Sequence, residues 1–425
     1  MATRFNPFRP GQVVPPGLFC GRIDEVQAID HCLSQTKFGN PRHFLLEGER
    51  GIGKSSLFFL EALVARGELE SLSGASLNFI VLEISLEPQD TYVSLIKKIS
   101  SELRNETLKR DKLKDLSLKA WELITRLEAG GVRIRRDDDR IDESLLLSNI
   151  QQDFIKIIKS LSLEDGILLL VDEADQPNIN CHLGRFCKLL TESLTRANCD
   201  RLCIGLAGLP GLIVQLRESH ESSPRLFETM DLQPLEEEER SEVITHGLND
   251  AKEKNGYEVN ITDKAKSLLC DLSEGYPHFL QEFCYCAFDA DSDNVIDASD
   301  VASSLFTENG AFDQLGRKYF LQYYDAPASD DYRTVLNSMA DHSDDWVDRK
   351  TIISESGIKS TIVDNALRAL KGRNIIMQNT QRRGEYKLPT KSFSVWIKTK
   401  RIAEESADNA APGLFEAGED DNSGL

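Results

Sequence analysis

The run Gly48-Glu49-Arg50-Gly51-Ile52-Gly53-Lys54-Ser55 has the spacing G-x-x-x-x-G-K-S, with Ser56 following, and that spacing describes a loop built to hold phosphate. Its glycines remove side chains that would keep backbone N–H groups away from phosphate oxygens, and the start of the next helix adds further unpaired N–H groups. Lys54 is placed to reach the β- and γ-phosphates of a nucleoside triphosphate, and the Ser55 hydroxyl to bind Mg²⁺. Such a site needs an acidic partner. Ile167-Leu-Leu-Leu-Val-Asp172-Glu173 ends an apolar run in two adjacent carboxylates, whose burial would be costly without a cation or water to engage them. Asp172 suits Mg²⁺ coordination, and Glu173 suits polarising an attacking water as general base.

These residues meet only if a particular set of elements positions them. Short apolar runs at Phe44–Leu46, Phe79–Ile84, Ile167–Val171, Leu202–Leu206 and Glu228–Leu232 alternate with amphipathic stretches such as Tyr92–Leu103 and Ser148–Leu161. That alternation predicts an α/β fold, a parallel sheet covered by helices, with the phosphate loop between a strand and the helix over Leu57–Ala65. Glu236 to about Phe312 is helical by periodicity. From Asp330 to Lys400, three helical patterns (Tyr332–Met339, Arg349–Glu355, Ser360–Leu370) and two short strands flanking Gln381-Arg382-Arg383-Gly384 predict a winged helix-turn-helix.

At 425 residues the chain is too long for one core and suggests about three domains. We divide it into an N-terminal arm with a nucleotide-facing motif (1–40), a phosphate-loop core (41–235) with a charged insertion (104–145), a helical lid (236–325), a winged-helix domain (326–400) and a disordered acidic tail (401–425). Lys+Arg 50 against Asp+Glu 70 gives a net charge of -20, which excludes a protein that coats nucleic acid by bulk charge. The charge is uneven. Lys371 to Arg401 holds nine basic residues against Glu385 alone, and the following tail holds seven acids and no base. No apolar run approaches the ~20 residues of a membrane helix, Met1–Arg9 lacks the features of a secretion signal, and nine irregularly spaced cysteines read as reduced thiols. The expected location is the cytoplasm.

Together these features resemble the AAA+ P-loop ATPases, of the origin-recognition-like and STAND-type branch with a C-terminal winged helix. Phe19-Cys-Gly21-Arg22-Ile-Asp-Glu25 is similar to that family's motif lying against the nucleotide base and ribose. Ser223-Pro-Arg225 is similar to the segment whose arginine senses γ-phosphate, often across a subunit interface; the resemblance makes Arg225 the finger candidate and Arg217 the second. Gly275-Tyr-Pro277-His278 resembles the lid motif that touches bound nucleotide, although Pro277 also suits a plain helix start. Two positions depart from the pattern. Ala207-Gly-Leu-Pro210 follows the fourth strand where a polar sensor usually sits, and His278 replaces an arginine of many origin-binding relatives.

The resemblance implies a slow, Mg²⁺-dependent ATPase, its cofactors ATP and Mg²⁺. It implies a switch that controls assembly, as a homo-oligomer, or a partner effector, with prokaryotic anti-phage defence as the leading setting. The alternative is an ATP-dependent DNA-binding initiator, loader or transposon-targeting ATPase, touching DNA through Arg368, Lys371, Arg382 and Arg383. Two further patterns are read as structural. Cys181, His182, Cys187, Cys199 and Cys203 lack paired zinc spacing, and the acids at 289, 291, 293, 297 and 300 lack the glycine and glutamate of a calcium loop, leaving Asp297 as a helix cap.

Overall fold

The computed structural model describes residues 4–110, 143–307, 309–325, 329–342, 345–373, 375–379 and 382–410, without the side chains of 402–410. Most of the charged insertion and the end of the acidic tail lie outside the described residues. The chain forms two compact units, residues 11–235 and residues 1–10 with 236–425.

The first unit is built on five parallel strands: β1 (His43–Glu47), β2 (Phe79–Ser85), β3 (Gly166–Asp172), β4 (Leu202–Gly208) and β5 (Phe227–Asp231), in the order β2-β3-β4-β1-β5. Strands β1 and β4 are buried along their whole length, as expected for a parallel sheet covered on both faces. The covering helices include α1 (Ile23–Lys37), α2 (Lys54–Arg66), α3 (Tyr92–Leu108), α4 (Glu143–Ser160), α5 (Leu183–Arg196) and α6 (Leu212–Ser219). Gly205 in β4 is required by packing, because a Cβ there would lie 2.4 Å from the Phe44 ring. All five strands fall where the apolar runs predict them. Each extends by a residue or two, as is usual for element ends, except β5, which is offset one residue toward the N-terminus.

Between α1 and α2 lies a pair of buried acids. Asp30 is 4% exposed and Glu61 0%, and neither carboxylate oxygen of Glu61 has a hydrogen-bond partner. Burial pushes Glu61 well above the ordinary carboxylate range, and the facing Asp30 adds to it. Burial also raises Asp30, against the opposing pull of the Ser71–Ser73 turn. Among the neighbouring groups, the buried Cys203 thiol on β4 is the other titratable side chain coupled to Glu61. With folded-state pKa values above the unfolded ones, stability is intact near pH 4 and falls as pH rises through the folded values. Glu61→Gln should therefore raise the melting temperature, more at pH 8 than at pH 5. Relief of an unpaired buried carboxylate of about 1–3 kcal/mol corresponds to several degrees at ~2–4 °C per kcal/mol. Thermal denaturation at the two pH values checks this.

The second unit begins with the first ten residues, where the sequence reading groups 1–40 as one segment. Phe8 is 3% exposed against α7 (Glu237–Asn255), where a Cβ on Gly247 would touch its ring at 2.6 Å. Arg4 pairs with Asp291 at 2.7 Å, and Asn255 exchanges two hydrogen bonds with the Phe5 backbone. Arg9 N–H donates to Gln281. Among the described residues the proline-rich arm forms no regular element before Pro16, yet Arg4, Phe5, Phe8 and Arg9 are held by this unit.

After α7 come the two-residue strand β6 (Asn260–Ile261), α8 (Asp263–Ser273), α9 (Pro277–Ala290), β7 (Val295–Ile296), which pairs with β6, and α10 (Ala298–Phe306). Asp297 accepts hydrogen bonds from the N–H groups of Ser299 and Asp300 as the N-cap of α10. Asp291 is held by Arg4, Asp289 accepts from Asn6, Asp293 from the Val295 N–H and Asp300 from the Asp297 N–H, so all five calcium-spaced acids already have structural partners. Short helices α11 (Ala311–Leu315) and α12 (Leu321–Asp325) lead to α13 (Asp330–Ala340), β8 (Val347–Asp348), α14 (Arg349–Ser356), α15 (Ser360–Gly372), β9 (Met377–Gln378), β10 (Glu385–Lys387) and α16 (Lys391–Ala410). The sheet here has three strands, β8-β10-β9, where the sequence suggests two. Helix α16 continues into residues that the sequence reading assigns to the tail. Phe393, Trp396 and Ile397 are buried on one of its faces, and the helix runs past the boundary at 401 to Ala410, because Ala and Glu favour helix whatever their net charge.

Candidate functional site

The carboxyl end of β1 leads directly into the loop Gly48–Gly53, and α2 starts at Lys54. Gly51 and Gly53 have φ values of 76° and 104°, a left-handed backbone that other residues adopt at a cost. A Cβ on Gly48 would lie 2.9 Å from Ile52. The glycine spacing in the sequence is thus the condition for the loop to close on itself.

Lys54 is 9% exposed and donates to the carbonyls of Gly48 at 2.7 Å and Glu49 at 2.9 Å. Burial lowers its pKa, and the neighbouring carboxylates Glu173, Asp172 and Asp175 oppose that shift. Its ammonium therefore sits inside the loop on carbonyl groups that an incoming phosphate could replace. Ser55 Oγ donates to Asp172 Oδ2 at 2.6 Å. This contact joins the loop to the end of β3, two segments 117 residues apart, as the sequence predicts. One hydroxyl and one carboxylate fit Mg²⁺, which commonly binds one or two carboxylates and completes its shell with water and substrate phosphate. Among the described residues no larger cluster of His, Cys, Asp or Glu could hold a metal.

Strand order explains why these residues meet. Strand β4 lies between β1 and β3, and the carboxyl ends of all three open on one edge, where ligands bind in open α/β sheets. Glu173 follows Asp172 with φ 51° and stands exposed beside the loop. Arg22, at φ 62°, starts α1 and donates to the Ile52 carbonyl at 3.2 Å. Gly21-Arg22 and the phosphate loop therefore share one site. Ser56 differs from a phosphate ligand: its Oγ accepts the Val14 N–H at 3.2 Å. Glu49 and Arg50 lie on the exposed side of the loop.

Three functional-site residues were not singled out in the sequence. Glu47, 8% exposed, accepts from the N–H groups of Gly211 and Ile213 at the start of α6. Asp175 accepts from Leu209 N–H at 2.9 Å, and Gln176 bonds Glu173. The only hint was an acid immediately before the first loop glycine and a third carboxylate after Glu173. The partners of Glu47 and Asp175 are far away in sequence.

Arg225 lies elsewhere. Phe227 pairs with His43 and Asp231 with Glu47, so Arg225 stands beyond the amino end of β5 while the loop follows the carboxyl end of β1. Four residue steps of ~3.3 Å put about 13 Å of strand between those ends. Arg225 lines a cleft of about 600 Å³ with Arg42, Lys188, Arg196, Glu192 and Asp200. Arg217 is exposed on α6. Pro277 and His278 belong to the helical unit. Pro277 opens α9, and the His278 ring meets Tyr319 edge-on at 3.9 Å. Burial, with Lys318 nearby, pulls the His278 pKa down to about 4, which leaves it neutral near pH 7. No helix among the described residues is long and apolar enough to cross a membrane.

No protein-family model matches the sequence, and no curated protein matches it. Solved structures do. The Walker-type ATPase paby2304 of Pyrococcus abyssi is 15% identical, with 89% of this chain and 96% of that one covered, at a TM-score of 0.52. The ORC2 protein of Aeropyrum pernix, in ADPNP–ADP complexes, is 11% identical over 95% of this chain and 98% of that one, at a TM-score of 0.53. Its ADP form scores 0.50 at 11% identity, covering 94% and 97%. At these identities the likeness is one of fold, and the fold of this chain is the parallel-sheet, phosphate-loop α/β fold of AAA+ ATPases.

Proposed function

We propose that the chain binds MgATP in the loop Gly48–Ser55 and hydrolyses it slowly, as a switch that controls its own assembly or a partner effector, with anti-phage defence as the setting. The observation that carries this reading is the 2.6 Å contact between Ser55 Oγ and Asp172 Oδ2, which sets a hydroxyl and a carboxylate where a nucleotide-bound cation would lie. Lys54 and the loop N–H groups bind and neutralise the triphosphate. Mg²⁺ held by Ser55 and Asp172 supplies charge neutralisation at the phosphates. Glu173 takes a proton from the attacking water, whose oxygen bonds to the γ-phosphorus as the bond to the ADP oxygen breaks. Arg225, remote from its own loop, serves the nucleotide of a second copy. Eight of the nine cysteines are buried, which suits the reducing cytoplasm. Phosphate release compared between wild type and the Lys54→Ala and Glu173→Gln variants tests the reading.

A second reading, contact with DNA by a winged-helix module, is favoured by one observation. Asp364, the acid on α15, is held by a two-point fork from Arg349, with Nη2–Oδ2 at 2.8 Å. That pairing leaves Arg368 and Lys371 as the charges of the helix, and on the hairpin Arg382 is 79% exposed and lies 3.7 Å from Glu385. If DNA is a partner, duplex DNA raises ATP turnover several-fold and the Arg382→Ala/Arg383→Ala variant loses the stimulation. Unchanged turnover with DNA removes this reading.

A further inference from the structure

Strand β4 ends in the buried Ala207 and Gly208, so it offers no polar side chain to the carboxylates at the end of β3. The polar group comes from the other side. Gln176 Nε2 donates to Glu173 Oε2 at 3.0 Å and reaches Asp175 Oδ2 at 3.5 Å, and Gln176 N–H donates to the Glu173 carbonyl at 3.0 Å.

This turn is anchored to the sheet. Asp175 Oδ1 accepts the Leu209 N–H at 2.9 Å, and Ala174 N–H donates to the Ala207 carbonyl at 2.8 Å. The approach of Asp175 needs the missing side chain at 208, where a Cβ would lie 2.8 Å from Oδ1. Gly208, one of the residues that removes the polar position, is therefore also the residue that admits the Asp175–Gln176 turn. Glu173 is left-handed at φ 51°, a conformation a non-glycine keeps only when its surroundings fix it.

We propose that Gln176 is a positioning residue for Glu173, its amide holding the carboxylate from the β3 side in place of a polar side chain at the end of β4. The inference rests on the reading of Glu173 as the base. An exposed glutamate carboxylate sweeps several rotamers, and a base must sit within hydrogen-bond reach of its water. Displacement by about 1 Å is enough to slow such a step markedly.

The test uses the full chain with Gln176→Ala and Gln176→Glu, the latter keeping the shape and losing the donor. Affinity for a nonhydrolysable ATP analogue should stay within about twofold and kcat should fall about tenfold with KM unchanged, as expected for a contact made in the transition state. Affinity for ADP with aluminium fluoride should fall by a similar factor, a readout that does not depend on turnover. A kcat and aluminium fluoride affinity equal to wild type would overturn the proposal. So would a parallel fall in analogue affinity and melting temperature, which marks a merely structural contact. If wild type releases no more phosphate than Lys54→Ala, the ATPase reading itself fails and the inference falls with it; if wild type is active and Gln176→Ala matches it, only the inference fails.

Discussion

Replacing Glu173 with glutamine is expected to leave MgATP bound and to slow phosphate release by about 10²–10⁴-fold. Glutamine preserves the volume and can still meet Gln176, so the turn anchored by Asp175 and Leu209 should stay folded. What it loses is the ability to accept the water's proton. Lys54→Ala should fail differently. The ammonium that bridges Gly48 and Glu49 is the positive charge buried inside the loop, and its removal takes away both loop closure and phosphate neutralisation. Binding and hydrolysis should fall together. Equal binding loss in both variants would contradict the division of roles, because Glu173 touches neither the loop carbonyls nor Ser55.

Arg225→Ala is expected to lower turnover by about 10³-fold if it acts as a finger on transferring phosphate, with nucleotide affinity little changed. Its place beyond the amino end of β5 rules out action on its own loop without unravelling the sheet, so the effect must pass between copies. Mixing settles the point. Lys54→Ala chains keep Arg225 and lack a working loop; Arg225→Ala chains keep the loop and lack the finger. An equimolar mixture should recover roughly a quarter of the wild-type rate when contacts are pairwise, since half the pairs are mixed and each has one complete site. Size-exclusion with the nonhydrolysable ATP analogue should show a larger species than with ADP. A mixture as inactive as its components, and a monomer under both nucleotides, would remove Arg225 from the mechanism.

How much of this was legible in the sequence varied with the distance over which each feature is determined. The phosphate loop is a local object: Gly51 and Gly53 supply the backbone, and Lys54 and Ser55 follow in register. Asp172 was equally plain because a fully buried strand that ends in acids has few other uses. The strands were legible because apolar runs of three to six residues between helical patterns carry a strong signal. Glu47 and Asp175 were not, since their significance lies in Gly211 and Leu209, brought near only by sheet order, and Gln176 was not, since its contact with Glu173 depends on the turn that Asp175 anchors. The packing of the arm was hidden for a different reason. Its prolines correctly deny it regular structure, but Phe8 still finds a buried site against Gly247. Strand β8, Val347–Asp348, has only two residues, too few for any alternation to show. In α16 the basic residues and the acids beyond Arg401 masked a plain helical face of Phe393, Trp396 and Ile397.

Calorimetric titration of MgATP into the full chain, beside the same titration of Lys54→Ala, tests the central claim most directly. One nucleotide per wild-type chain and none in the variant is the predicted result. No binding by wild type, or equal binding by both, would contradict the assignment of Gly48–Ser55 as the nucleotide site.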